Sequence, residues 1–152
     1  MPREDFYALA RQVAPCVGFN TRRATRLVTQ YYDHALAPVG LRSTQYSLLG
    51  LLALVDEIPM QELALVLAMD RTTLTRNLNP LLEKELIEVS VGSDRRVRPI
   101  KITPKGVAIL AEALPLWEQA QARIVDQLGP DKWDEMMRGL HQISMIVEDS
   151  NR

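Results

Sequence analysis

From residue 87 the apolar side chains of this chain stop recurring every third or fourth position and begin to alternate. "IEVSV" (Ile87 to Val91) and "VRPIKI" (Val97 to Ile102) both run at a spacing of about two, with "GSDRR" between them. That is the period of a half-buried strand, and two such runs joined by a short polar, glycine-containing segment form a β-hairpin. Nearly everything else follows helical spacing. The expected fold is therefore mostly α with a single small β-hairpin. Pro99 has no amide to donate, which predicts an edge strand for the second run.

The helices can be placed by their caps and breakers. A short amphipathic segment covers roughly residues 4–13 and ends before Pro15. A longer one runs from about Cys16 to Leu36, with Val17, Ala24, Leu27, Val28, Tyr31 and Ala35 on one side, and "APVG" (Ala37 to Gly40) stops it. Ser43 or Thr44 is expected to cap the almost continuously apolar "QYSLLGLLALV". Pro59 opens a short helix near Gln61 to Leu67, Ala68 and Met69 make a turn, and Asp70 caps the next helix.

Beyond the hairpin, Thr103 and Pro104 start a helix with an apolar series at Val107, Leu110, Leu114, Trp117, Ile124 and Leu128, broken at Gln121. Pro115 is expected to kink it. After "GPD", Trp133, Met136, Leu140, Ile143 and Val147 continue the pattern. Two long seams at one end of a small chain have few partners within it. They point to a dimer interface built from both termini, the alternative being packing against the first long helix.

Composition narrows the function. With 47% hydrophobic and 24% charged residues, the chain has an ordinary globular balance. No run approaches the roughly 18 apolar residues of a membrane span, and the first residues lack a signal peptide's apolar core, so a cytoplasmic location is expected. A single cysteine, Cys16, allows no intrachain disulfide, and His34 and His141 have no metal-ligand spacing. No glycine-rich phosphate loop, nucleophile elbow or paired-histidine motif is present, so neither an enzyme nor a cofactor is expected.

The formal net charge of −1 conceals a segregation. Arg71, Arg76, Lys84, Arg95, Arg96, Arg98, Lys101 and Lys105 face only four acids between residues 71 and 105, whereas residues 112–149 are acidic. The basic segment is thus a candidate anion-binding surface.

Within it lies "DRTTLTRNLNP", Asp70 to Pro80. At about 100° per residue, Leu74, Leu78, Leu81 and Leu82 form one stripe, with Thr72, Thr73, Arg76 and Asn79 opposite it and Arg71 and Thr75 at its edges. None of those six is acidic. Threonine can bond phosphates or bases and offer its methyl to thymine, and arginine can hold guanine O6 and N7 bidentately. Pro80 removes one helical hydrogen bond and predicts a kink near Arg76 to Pro80.

Short helix, turn, helix and hairpin follow the order of a winged helix-turn-helix, whose second helix enters the major groove. Arg95, Arg96 and Arg98 sit at or beside the hairpin tip, where they could enter a minor groove or clamp phosphates. Two basic elements flanking one hydrophobic anchor favour DNA over a protein partner, for which aromatic or aliphatic anchors would be expected on that helix. A winged-helix protein-interaction module is the alternative.

On these motifs the chain resembles the MarR (multiple antibiotic resistance regulator) family of transcription factors. "DRTTLTRNLNPLLEKELIEV" and "SDRRVRPIKITPKG" carry the resemblance most specifically. "GLRSTQYSLL" and "LWEQAQ" are similar to one branch, and Ile102 precedes the threonine where the family has leucine. The resemblance implies a homodimer with interlocked terminal helices (1–37 and 104–152) and two winged lobes (38–103) on a pseudo-palindromic operator. It implies that Asp94 braces the wing, that Arg96 enters the minor groove and that residues Arg71 to Arg76 read the major groove. It further implies a repressor released by a small aromatic or lipophilic effector between the lobes, where Asn20, Arg23, Tyr46 and Trp117 are candidates. One branch senses organic peroxides through a cysteine in the first long helix. Aligning the two at "TQYSLL" puts Cys16 about two residues early and Gly18 at the sensor position, leaving a redox-responsive regulator as an alternative.

Overall fold

The computed structural model describes residue 11, residues 14–90 and residues 98–150. The expected N-terminal helix near 4–13 lies almost wholly outside the described residues. Helix α1 (Val17–Leu36) passes through a 3₁₀ turn (Ala37–Val39) and ends at Gly40, whose φ of 67° is the left-handed geometry for which glycine is suited. There follow α2 (Ser43–Ala53), β1 (Ile58–Pro59), α3 (Met60–Val66), α4 (Arg71–Glu83), β2 (Ile87–Val89), β3 (Pro99–Ile102), α5 (Pro104–Leu128) and α6 (Pro130–Ser150). The fold is mostly α with one small antiparallel sheet.

That sheet has a strand the spacing does not announce. Its order is β1-β3-β2, with Ile58 opposite Ile100, Pro59 opposite Pro99, and Glu88 opposite Lys101. The strand of Pro99 is therefore central, not an edge. Proline is tolerated there because it is the first residue of its strand, and its partner Pro59 likewise has no amide to donate. The Pro99 carbonyl is still used, accepting the Ser90 N–H at 2.8 Å. Two residues of β1 are too few to display an alternation.

Other local expectations also shift. Ser43 is the first residue of α2 and does not cap it, since Arg42 holds the N-cap position. Gln45 Oε1 accepts the Arg42 N–H at 3.0 Å, and Asp33 of α1 completes the cap, its Oδ1 accepting the Ser43 N–H at 2.7 Å and the Ser43 hydroxyl at 2.8 Å. A carboxylate at a helix N-terminus also complements the helix dipole. At the two prolines where kinks are expected, Pro80 and Pro115, α4 and α5 run on without interruption. Buried Leu78 and Leu81 flank the first, buried Ala113 and Ala120 the second, and this packing carries each helix through.

A single cluster of buried residues fills the lobe formed by α2 to β3: Leu48, Leu49 and Leu52 of α2, Leu63 of α3, Leu74, Leu78 and Leu81 of α4, and Ile58, Leu86, Ile87 and Ile100 around the sheet. From the described terminal helices buried Leu36 and Ala113 join it, with partly buried Ile109, Leu110, Leu116 and Trp117 of α5 packed against it. The buried residues of α5 are Gly106, Ala113 and Ala120, seven apart, while Val107 and Leu114 of the expected seam stand exposed. Small residues let α1 and α2 approach α5 closely. Tyr31 Oη donates to the Ala120 carbonyl at 3.1 Å, and Tyr32 Oη bonds Gln121 Oε1. Helix α6 has no buried residue at all. No helix among the described residues is long and apolar enough to cross a membrane.

The lobe and α5 meet at Gly106. A Cβ there would lie 2.1 Å from the Leu86 carbonyl oxygen and 2.7 Å from Ile102 Cγ1, so only glycine fits. Leu86 O accepts the Thr103 N–H at 3.0 Å, and the Thr103 hydroxyl donates to the Glu85 carbonyl at 2.8 Å while accepting from the Gly106 N–H at 3.0 Å. Thr103 thus caps α5, as its sequence position predicts, and pins it to the turn after α4.

Candidate nucleic-acid interface

Helices α3 and α4 are joined by a tight turn in which Ala68 has φ 50° and the Met69 N–H reaches back to the Ala64 carbonyl at 2.9 Å. Asp70 then caps α4. Its Oδ1 accepts the Thr73 N–H at 2.9 Å and its Oδ2 the Thr73 hydroxyl at 2.6 Å. These bonds from Thr73 hold the Asp70 carboxyl below its ordinary range. Leu74, Leu78 and Leu81 are buried and fix the rotation of the helix, with Leu82 half-buried beside them.

That rotation brings Arg71, Thr72, Thr75, Arg76 and Asn79 together around one shallow concavity of about 430 Å³. Five of the six expected α4 residues thus share one exposed surface. Thr73 departs from the expectation, because it is half-buried and its hydroxyl belongs to the cap. Thr75 donates its hydroxyl to the Arg71 carbonyl at 2.8 Å. A residue the sequence does not single out, Asn77, donates to Met69 Sδ at 3.5 Å and ties the helix to the preceding turn.

The basic segment is not uniformly free. Lys101 pairs with Glu88 at 3.0 Å across the sheet, and this bond raises its pKa above the usual lysine range. Lys105 pairs with Glu85 at 3.3 Å, and Lys84 donates to the Gly40 carbonyl at 2.9 Å. Among the described residues Arg71, Arg76 and Arg98 have no carboxylate partner within salt-bridge distance. Arg98 is exposed immediately before β3. Asp94, Arg95 and Arg96 lie outside the described residues.

A second feature lies where α1, α2 and α5 converge. A cavity of about 410 Å³ is lined by Val28, Thr29, Tyr32, Leu36, Ser43, Thr44, Tyr46, Ser47, Leu48, Leu67, Met69 and Trp117. Tyr46 and Trp117 stack there, with ring centroids 5.8 Å apart and planes 19° apart. Burial, with Glu118 nearby, pushes the Tyr46 phenol up, and burial followed by Tyr31 does the same for Tyr32. Hydroxyl side chains accompany the apolar walls, and among the described residues no Lys, Arg, His, Asp or Glu lines the cavity.

Tyr46 and Trp117 are thus brought together as expected, whereas Asn20 and Arg23 are not. Asn20 donates to the Ala14 and Cys16 carbonyls at 2.7 and 3.0 Å, holding the start of α1, and Arg23 is exposed. Cys16 is exposed just before α1. Among the described residues no group of three His, Cys, Asp or Glu is placed to hold a metal.

Comparison with known proteins matches this arrangement. A family model described as the MarR family covers residues 39–97, the stretch holding α2, α3, α4 and the start of the hairpin. The chain is 38% identical to the M. tuberculosis transcriptional regulator MosR in complex with DNA, with a TM-score of 0.82 over 89% of this chain and 98% of that one. It is 30% identical to the transcriptional repressor CouR bound to a 23-mer DNA duplex, with a TM-score of 0.79 over 88% and 95% of the two chains. CouR bound to p-coumaroyl-CoA matches at 27% identity and a TM-score of 0.77, over 88% and 94%. These proteins are regulators of transcription rather than enzymes. Likeness of this extent, spanning terminal helices as well as the winged lobe, means that the chain belongs to the MarR family of DNA-binding, winged-helix transcriptional regulators.

Proposed function

We propose that this chain is a sequence-specific repressor that binds a pseudo-palindromic operator as a homodimer and is released by a small aromatic or lipophilic effector. One observation carries the reading. The buried leucine stripe of α4 turns Arg71, Thr72, Thr75, Arg76 and Asn79, none of them acidic, onto one concave surface that begins at the helix N-terminal end, the end that touches bases in helix-turn-helix proteins. In this proposal Arg98, together with Arg95 and Arg96, contacts the DNA beside the α4 site, and Asp94 braces the wing. Thr73 serves the reading indirectly, by keeping the first turn of α4 closed. That MosR and CouR have been solved on DNA, and that CouR is a repressor, supports the same assignment.

Residues 1–37 and 104–152 form the dimerisation region in this proposal, and 38–103 the DNA-binding lobe. On α6, Met136, Met137, Leu140, Ile143, Met145, Ile146 and Val147 are each at least a third exposed. Covering such partly exposed side chains releases about 1 kcal/mol apiece, so two copies of α6 gain on the order of 10 kcal/mol. Association itself costs roughly 4–15 kcal/mol. Val17, Phe19, Leu27 and Val28 of α1 are also exposed and add to the favourable side. The effector site is the Tyr46–Trp117 cavity, whose volume lies in the range of small-molecule sites.

The test is fluorescence anisotropy with DNA from immediately upstream of the chain's own gene, against a scrambled duplex, over a salt series. Specific binding whose affinity falls steeply with salt supports the reading, because each phosphate neutralised by Arg or Lys releases counterions. Equal binding to both duplexes, followed by failure to enrich any sequence from a random pool, refutes it.

A further inference from the structure

We propose that Thr75 reads DNA through its methyl group, against the C5-methyl of a thymine, and that its hydroxyl takes no part in base readout. The inference rests on the DNA-binding reading above and assigns a specificity role within it. A threonine facing a groove can use a donor, an acceptor or a methyl group. The three threonines of α4 differ in which of these remain available. Thr73 is half-buried and donates to Asp70. Thr72 is exposed, and its hydroxyl has no partner among the described residues. Thr75 is exposed on the concavity, yet its hydroxyl donates to the Arg71 carbonyl one turn back at 2.8 Å.

That bond decides the chemistry. It engages the only proton Thr75 can donate and turns the oxygen onto the helix backbone. The two branches on a β-carbon are set by one torsion, so fixing the oxygen fixes the methyl as the branch turned away from the carbonyl. Arg71 and Arg76 flank it on the same surface and supply donors in abundance. Thr72, with its hydroxyl unpartnered among the described residues, can meet a base through either group, whereas Thr75 is left with its methyl. In the major groove the thymine methyl is the apolar group on a base edge.

The full-length chain selects its best duplex from a randomised pool, and anisotropy then compares wild type, Thr75→Val and Thr75→Ser. Valine keeps the branched shape and the methyl while removing the hydroxyl, and serine does the reverse. Circular dichroism melts establish that both variants fold. Thr75→Val is expected to bind within about twofold of wild type. Thr75→Ser is expected to lose about fourfold per half-site, the worth of one buried methyl, or about fifteenfold over a symmetric pair. Replacing one thymine per half-site by deoxyuridine should cause the same loss for wild type and none further for Thr75→Ser.

A loss confined to Thr75→Val would mean that the hydroxyl reads an amino group and would overturn the proposal, as would a serine loss that no deoxyuridine position reproduces. Failure of wild type to enrich any sequence is a different result. It strikes the DNA-binding reading itself.

Discussion

Replacing Gly106 with alanine sets two effects of opposite sign against each other. Within a helix the change from glycine to alanine is favourable by up to about 1 kcal/mol, because alanine has less backbone freedom to lose. At Gly106 the added methyl would stand 2.1 Å from the Leu86 carbonyl oxygen, which must retreat by over 1 Å to reach ordinary contact. A carbonyl cannot rotate out of the way as a side chain can. This one is also held by the Thr103 N–H, with the neighbouring Glu85 carbonyl held by the Thr103 hydroxyl. Overpacking costs about 1–3 kcal/mol, and weakening two hydrogen bonds about 1 kcal/mol each. Sterics should win, leaving Gly106→Ala less stable by about 2–4 kcal/mol in urea denaturation. Gly50, inside α2, has open space where a methyl would go, with nothing within 4 Å. Gly50→Ala therefore tests the propensity effect alone and should gain about 0.5–1 kcal/mol. A Gly106→Ala protein as stable as wild type would refute the argument.

Arg76→Ala should weaken binding to the best operator by about 1–3 kcal/mol and relax base preference there, whereas Arg96→Ala should weaken binding across sequences and lower the salt slope by about 1; unchanged anisotropy curves for both would remove them from the interface. Leu140→Glu, which places a charge where 45% of a leucine is exposed on α6, should raise the dimer dissociation constant by about 30-fold, from about 1 kcal/mol lost in each of two copies. Sedimentation that shows an unaltered dimer would place the interface elsewhere. Because no charged side chain among the described residues lines the Tyr46–Trp117 cavity, 1-naphthamide should bind at least about tenfold more tightly than 1-naphthoate, an unpaired buried carboxylate being costly. Trp117 fluorescence in a Trp133→Phe background reads this directly, and a preference for the acid would overturn it. The depressed Asp70 pKa means that its capping stabilises the fold fully above the ordinary carboxyl range and that this is lost as pH falls through the depressed value. The stability gap between wild type and Asp70→Ala should therefore close in strong acid; a gap independent of pH would show that the charge is irrelevant.

Much of this architecture is legible in the sequence because it depends on near neighbours along the chain. The apolar spacing locates α1, α4, α5 and α6, and the Asp70 and Thr103 caps follow from residues three apart. The features that escape it depend on contacts between distant segments. Asp33 caps α2 from another helix, β1 is only two residues long, and Pro99 is tolerated because Pro59 faces it. The α4 surface is legible for the same local reason, since the leucine stripe fixes which residues face outward. Thr73 is the exception, because helical angle alone cannot tell that the Asp70 cap draws its side chain in and leaves it half-buried. For the cavity, Tyr46 and Trp117 are legible as aromatic positions on converging helices. Asn20 and Arg23 share a helix with its walls but not its face.

Both crossings of the chain between terminal helices and winged lobe are fastened to the same end of α4. Lys84 holds the Gly40 carbonyl at one crossing, and the Glu85 and Leu86 carbonyls hold Thr103 at the other. The buried leucines of α4 lock it to the rest of the lobe, so lobe and helix move together about these crossings, with Thr72 far from them. From Lys84 to Thr72 the distance is about 18 Å at 1.5 Å per residue. A tilt of roughly 10° at the crossings sweeps Thr72 by about 3 Å, close to the roughly 3.4 Å rise of one base pair. A small tilt of the lobe against the terminal helices would therefore displace this end of α4 by about the rise of one base pair.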